Sequence, residues 1–144
     1  MKLYFTLTKK NLAVILAMGI IALIVMGQFL SVHSGGIDGS TNAKRVYFLQ
    51  GLGLEINETA TEIKDIVIPK KFSAVYEKYN NLQKQAGFDL EKYRGKSAKV
   101  YSYSLQDDNE QQIHLIVCED KIIGGDIAHL KIDGNMTGLK RKNE

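Results

Sequence analysis

Between Leu12 and Leu30 the chain reads LAVILAMGIIALIVMGQFL, a stretch in which only Gly19, Gly27 and Gln28 are not plainly apolar. A helix packed on one side of a globular core needs a polar face for its other side, and this segment has none. At about 1.5 Å per residue it reaches roughly 28 Å, close to the roughly 30 Å of a bilayer's hydrocarbon core. The sequence therefore predicts a transmembrane helix over 12–30, with the lipid bilayer as its partner. Lys2, Lys9 and Lys10 precede it without an acidic residue, and the following SVHSGGIDGS carries no Lys or Arg. The positive-inside bias places residues 1–11 in the cytoplasm and the body outside, making the segment a signal anchor.

A cleaved signal peptide is the competing reading, with Ser34 and Gly36 as small residues for the cleavage site and a secreted body as the product. The anchor is favoured because the apolar run continues to Leu30 without a sharp break. A lipoprotein is excluded, since the single cysteine, Cys118, is far from the N-terminus.

Charge divides the chain in the same way. The formal charge is +3, which on its own suggests an acidic partner. Three of the 19 Lys and Arg precede the apolar run, and the 16 that follow are matched by all 16 Asp and Glu. The exported part is thus neutral and has no dense basic helix, so nucleic acid is not an expected partner.

Residues 31–39 are small, glycine-rich and nearly uncharged, as in a flexible linker. Residues 40–139 then form one extracytoplasmic domain, and 140–144 a charged tail. Ser40 or Thr41 can cap a helix through Ala43, Val46, Tyr47, Leu49 and Leu52, ending at Gly51 and Gly53. Leu54-Glu55-Ile56 and Glu62 to Ile68 read as two short strands. In FSAVYEKYNNLQKQAG, the residues Phe72, Val75, Tyr76, Tyr79 and Leu82 share one helical face. Glu77, Lys78, Asn80, Asn81, Lys84 and Gln85 cover the other, and Gly87 caps the end. Asp89 opens a short helical turn through Tyr93. Ser97 to Gln106, Gln112 to Cys118 and Lys121 to Leu130 alternate as strands, with Ile113, Leu115 and Val117 inward. The expected fold is α+β, with two main helices on one face of a small antiparallel sheet, preceded by the transmembrane helix. Gly124-Gly125 inside a strand marks a bulge or a close backbone approach.

The strings IPKKFSAVYEKYNNLQKQAGFDLEKYRGK, KVYSYSL and IHLIVCEDKIIGGDIAHLKIDGNMTGL, within residues 42–139, carry a family resemblance. In this combination the chain resembles the bacterial family catalogued as domain of unknown function 4830, short Firmicute proteins with an N-terminal membrane segment. The resemblance implies an exported, bacterial protein and brings no catalytic residue with it.

Chemistry must therefore come from this chain's own residues. His33, His114, His129 and Cys118 are the candidate metal ligands, but their spacing builds no zinc site. A three-residue turn at Glu119 to Lys121 would set His114 opposite Asp126, whereas a two-residue Glu119-Asp120 turn would set it opposite Gly125. Asp126 and His129, an odd number apart, point to opposite faces. Cys118 in mid-strand reads as an inert core thiol, and no nucleophile turn of the G-x-S-x-G kind occurs. Gly124-Gly125 is no phosphate loop, because no helix N-terminus follows it. Among the tyrosines, Tyr76 and Tyr79 belong to the helix stripe, while Tyr101 and Tyr103 share a sheet face and read either as core or as a ligand surface.

The sequence thus predicts no enzyme and no cofactor. It predicts a single-pass envelope protein whose exported domain is an interaction, sensing or accessory module, with an envelope protein or cell-wall partner. Tyr101, Tyr103, His114 and Asp126 are its candidate contact residues. The alternative is a processed, secreted domain that binds a small ligand or a cell-wall fragment.

Overall fold

The computed structural model describes residues 36–131 and 135–140. The expected cytoplasmic start, the transmembrane segment 12–30, the linker through residue 35 and tail residues 141–144 lie outside the described residues. Among those described, no helix is long and apolar enough to cross a membrane.

The chain runs β1 (Ile37–Asp38), α1 (Asn42–Gly51), β2 (Glu62–Val67), α2 (Ala74–Gln85), a 3-10 turn (Leu90–Tyr93), β3 (Ser97–Ser104), β4 (Gln111–Cys118), β5 (Lys121–His129) and β6 (Met136–Gly138). The result is an α+β fold, two helices packed against a six-stranded antiparallel sheet of order β1-β5-β4-β3-β2, with β6 also on β5. Ile37 and Asp38, expected in the linker, pair with Ile122 and Lys121, so the folded unit begins before Ser40. Leu54 to Ile56, expected as a strand, joins the sheet only through a bridge from Ile56 to Leu105.

Local chemistry sets the helix ends. The Thr41 hydroxyl accepts from Lys44 N at 3.4 Å, and the Ser73 hydroxyl accepts from Tyr76 N at 3.2 Å, which satisfies one free N–H of each first turn. Gly87 adopts φ +87, letting Phe88 N turn back to the Gln83 carbonyl at 2.9 Å and end α2.

The helices lie on opposite faces of the sheet, not on one face as expected. Val46 and Leu49 of α1 pack with Tyr103, Ile113, Leu115 and Val117. Tyr76 and Tyr79 of α2 pack with the other cluster, which contains Ala98, Ile116, Cys118 and Ile123. Both faces of β4 are therefore covered, and Ile113, Leu115, Ile116, Val117 and Cys118 are all buried.

The face of α2 is also rotated from the expected stripe. Val75 is 79% exposed, whereas Asn80 and Gln83 are buried. Asn80 is used as a local cap, its Oδ1 accepting from Leu90 N at 2.8 Å. Gln83 Oε1 accepts from Gly125 N at 2.8 Å. That N–H needs a side chain because β1 covers β5 at Lys121 and Ile122, and β6 covers it from Asp126 to Ala128, leaving a gap between them.

The β4–β5 hairpin combines parts of both expected registers. Glu119 and Asp120 form a two-residue turn with φ 50 and 62, and Val117 pairs with Ile122. The next rung is Ile116 with Gly124, so Ile123 is an extra residue and the register slips by one. After this bulge Leu115 meets Gly125 and His114 meets Asp126. Ile123 and Gly124 both turn toward α2, where a Cβ on Gly124 would sit 2.9 Å from Gln83 Oε1.

Two glycine substitutions separate these constraints. A Cβ on Gly125 would lie 2.5 Å from the His114 carbonyl oxygen, a backbone atom that cannot swing away. Gly125→Ala should destabilise the domain by about 3 kcal/mol or more in urea unfolding. Gly51, with nothing within 4 Å, should become slightly more stable as Gly51→Ala, by about 0.5 kcal/mol. Equal effects at the two sites would contradict the packing described.

Candidate functional site

The bulge places a polar cluster on the α2 face. Asp126, with 4% of its side chain exposed, is the hub. Its Oδ1 accepts from the Tyr79 hydroxyl at 2.7 Å, and its Oδ2 lies 3.0 Å from His114 Nδ1. His114 Nε2 faces Gln112 Oε1 at 3.3 Å. The orientation of that amide follows from the next bonds: Gln112 Nε2 donates to Thr61 Oγ1 at 3.0 Å, and the Thr61 hydroxyl donates to the Ser102 carbonyl at 3.2 Å. An acceptor thus stands opposite each ring nitrogen of His114. An imidazolium satisfies both, whereas a neutral ring satisfies one.

Tyr79 remains a donor. Burial first, and then the charge of Asp126, push its phenol well above the usual tyrosine range. Burial alone raises the Tyr76 phenol in the same direction. Phe72, just before α2, and Tyr76 and Tyr79 within it form an aromatic row, with centroids 4.6 Å and 5.9 Å apart in successive pairs.

A cavity of about 260 Å³ opens beside this cluster, lined by Tyr76, Tyr79, His114 and Asp126 with Ile66, Val100, Ser102 and Ile116. Glu62 and Lys64 stand at its margin, 3.3 Å apart and more than half exposed, so their pairing adds little stability. Larger hollows lie along α1, about 1120 Å³, and beside Asp107 and Asp108, about 610 Å³. The α2-side cavity combines the apolar side chains of Ile66, Val100 and Ile116 and an aromatic wall with the buried carboxylate of Asp126 at its floor.

The four residues expected to share a contact surface separate into two pairs. His114 and Asp126 meet on the α2 face. Tyr101 and Tyr103 lie on the α1 face, and Tyr103 is fully buried. The Tyr103 hydroxyl accepts from Arg45 Nε at 2.9 Å and donates to Asn42 Oδ1 at 2.9 Å. The Arg45 guanidinium lies 3.6 Å over the Tyr101 ring and donates to the Gly39 carbonyl at 2.7 Å. These tyrosines clamp the start of the domain and do not form an open stacking platform.

Of the remaining candidates, His33 lies outside the described residues, and Cys118 and His129 stay apart from the cluster. Cys118 is buried, its Sγ donates to the Ser97 carbonyl at 3.3 Å, and burial raises its thiol above the ordinary value. His129 is exposed and pairs in register with Gln111. Among the described residues, no group of three or more His, Cys, Asp and Glu is placed to hold a metal ion. Tyr79, Gln83 and Gln112 were not singled out as site residues by sequence reasoning. The usable signal was Gly124-Gly125, which announced a close approach without naming the residue that makes it.

Fold and site together define a small α+β module with a polar-floored cavity between a helix and the edge of its sheet. The chain belongs to the family described as Domain of unknown function (DUF4830), whose family model matches residues 48–127. That span contains Tyr79, Gln83, His114 and Asp126. A search of curated proteins and a search of solved structures each found no match to the chain.

The hub makes a pH-dependent prediction. An unfolded tyrosine ionises near pH 10, as an order of magnitude, while folded Tyr79 keeps its proton above that. The unfolded state therefore loses the proton first, and stability falls as pH rises past about 10. Tyr79→Phe should flatten this fall between about pH 9 and pH 11, and should cost roughly 1 kcal/mol at neutral pH. Unchanged pH dependence in urea titrations would contradict the Tyr79 to Asp126 bond.

Proposed function

We propose that this protein is a single-pass, N-in component of a bacterial cell envelope. Its extracytoplasmic domain recognises a ligand or partner through the α2-side cavity around His114 and Asp126. The observation that carries the recognition reading is a buried carboxylate at the floor of an open cavity, already held by a tyrosine and a histidine. Its oxygens are engaged in orienting neighbours, which suits a fixed binding surface better than proton turnover. The membrane reading rests on the apolar run 12–30 and on Lys2, Lys9 and Lys10.

A second reading, a processed and secreted form of the same module, is supported by where the folded unit starts. Cleavage near Ser34 or Gly36 would leave β1 at Ile37 intact. Under the anchored reading, protease added to intact cells digests the domain while the protein recovered from untreated cells retains its N-terminus. A mature mass lacking roughly the first 35 residues would favour secretion, and a domain resistant until cells are lysed would overturn both readings. For the cavity, Val100→Trp should fill the lining and reduce partner recovery by envelope cross-linking at least about tenfold, a change of about 1.4 kcal/mol in binding, with unfolding little altered. Undiminished recovery from a folded variant would exclude this cavity as the contact.

A further inference from the structure

Strand β2 leaves one side of the sheet open. Among the described residues it pairs with β3 alone. Ile68 N donates to the Lys96 carbonyl at 2.9 Å as the next rung of that ladder. Hydrogen-bonded pairs alternate along an antiparallel ladder, so the even-numbered residues of β2 bond to β3. Ile63, Asp65 and Val67 turn their N–H and C=O groups outward. Their side chains share the α1 side of the sheet, where Ile63 is 58% and Val67 63% exposed. Two exposed apolar side chains on an unpaired edge form a template for another strand.

We infer that two copies of this chain pair edge to edge through β2, antiparallel, with the two-fold axis at Asp65. Spacing and charge select that register. Ile63 then lies opposite the partner's Val67, and Val67 opposite the partner's Ile63, so both exposed apolar side chains are covered. The two Asp65 side chains meet at the axis, each held by its own Lys99 at 2.6 Å, so the four charges there sum to zero. The outward groups of Ile63, Asp65 and Val67 all enter the ladder.

Neighbouring registers each lose something. An axis at Lys64 sets lysine against lysine and leaves Val67 opposite the partner's Thr61. An axis at Ile63 ends the ladder early, because Thr61 N already donates to the Ser102 carbonyl at 2.8 Å. An axis at Ile66 sets Ile63 opposite the partner's Pro69, which has no N–H to give. The self-pairing does not depend on membrane anchoring, and it uses the outward backbone groups of Ile63, Asp65 and Val67, whereas Glu62, Lys64 and Ile66 of the same strand border the cavity.

Disulfide trapping in the full chain tests the register. Cα atoms of a hydrogen-bonded antiparallel pair lie about 5.5 Å apart, within disulfide reach, whereas a four-residue offset separates them by about 14 Å. Under mild oxidation, Asp65→Cys should yield mostly covalent dimer. Ile63→Cys or Val67→Cys alone should yield less than about a tenth as much, and a mixture of those two variants should cross-link again. The unsubstituted chain, whose only thiol is the buried Cys118, should not cross-link. In a second measurement, Val67→Lys should weaken self-association in mild detergent at least about tenfold, about 1.4 kcal/mol, without altering thermal unfolding. Equal trapping at all three positions, preferential trapping at Ile63→Cys, or association unaffected by Val67→Lys would overturn the inference.

Discussion

The hydrogen bond from Gly125 N to Gln83 Oε1 joins the sheet to α2 at the point where the sheet lacks a strand of its own. β1 and β6 share the outer edge of β5 and leave the middle of that strand open. A buried N–H without a partner would cost on the order of 1–3 kcal/mol, so a side chain must reach it. Gln83 can do so only because Gly124 presents no Cβ there. The bulge at Ile123 turns Gly124 toward the helix, and the same slip brings Asp126 opposite His114. One extra residue therefore fixes the helix seat, the strand register and the polar cluster together.

The two faces of the sheet hold their charged groups differently. On the α1 side, Arg45 is buried against the Tyr101 ring and bonds to Tyr103 and the Gly39 carbonyl, tying the first residues of the domain to its centre. Those bonds use the fixed planar shape of the guanidinium and leave its tyrosine partners engaged. On the α2 side, Asp126 is buried but its histidine partner retains 25% side-chain exposure at a cavity. By this contrast the first arrangement is closed within the core and the second opens onto a cavity.

Much of the architecture was legible because caps and alternation are local. Ser40 or Thr41 and Gly87 announced helix ends, and the apolar alternation of Ile113, Leu115 and Val117 announced β4. The side of the sheet chosen by each helix was not legible, because β4 is apolar on both faces and period-two alternation cannot assign the helices. The stripe of α2 differs at Val75, expected inward and exposed, and at Asn80, whose polarity suggested solvent; the sequence pattern assigned Gln83 to neither face. Asn80 and Gln83 are both buried to serve backbone N–H groups, Asn80 that of nearby Leu90 and Gln83 that of distant Gly125. The hairpin register had two readings, and the bulge joined the turn of one to the His114–Asp126 pairing of the other. Tyr103 was visible as a candidate, but its Arg45 partner lies 58 residues away in the chain.

The central claim is that Gln83 supplies the bond missing from the edge of β5. Native-state hydrogen exchange at the Gly125 amide tests it most directly, comparing the natural chain with Gln83→Leu. Gly125 should be among the slowly exchanging amides of the natural protein. In the variant its protection should fall at least about tenfold more than that of its β4-bonded neighbours, a local loss of about 1.4 kcal/mol. A Gly125 amide that exchanges as fast as an open strand edge in the natural protein, or that is unaffected by Gln83→Leu, would contradict the account.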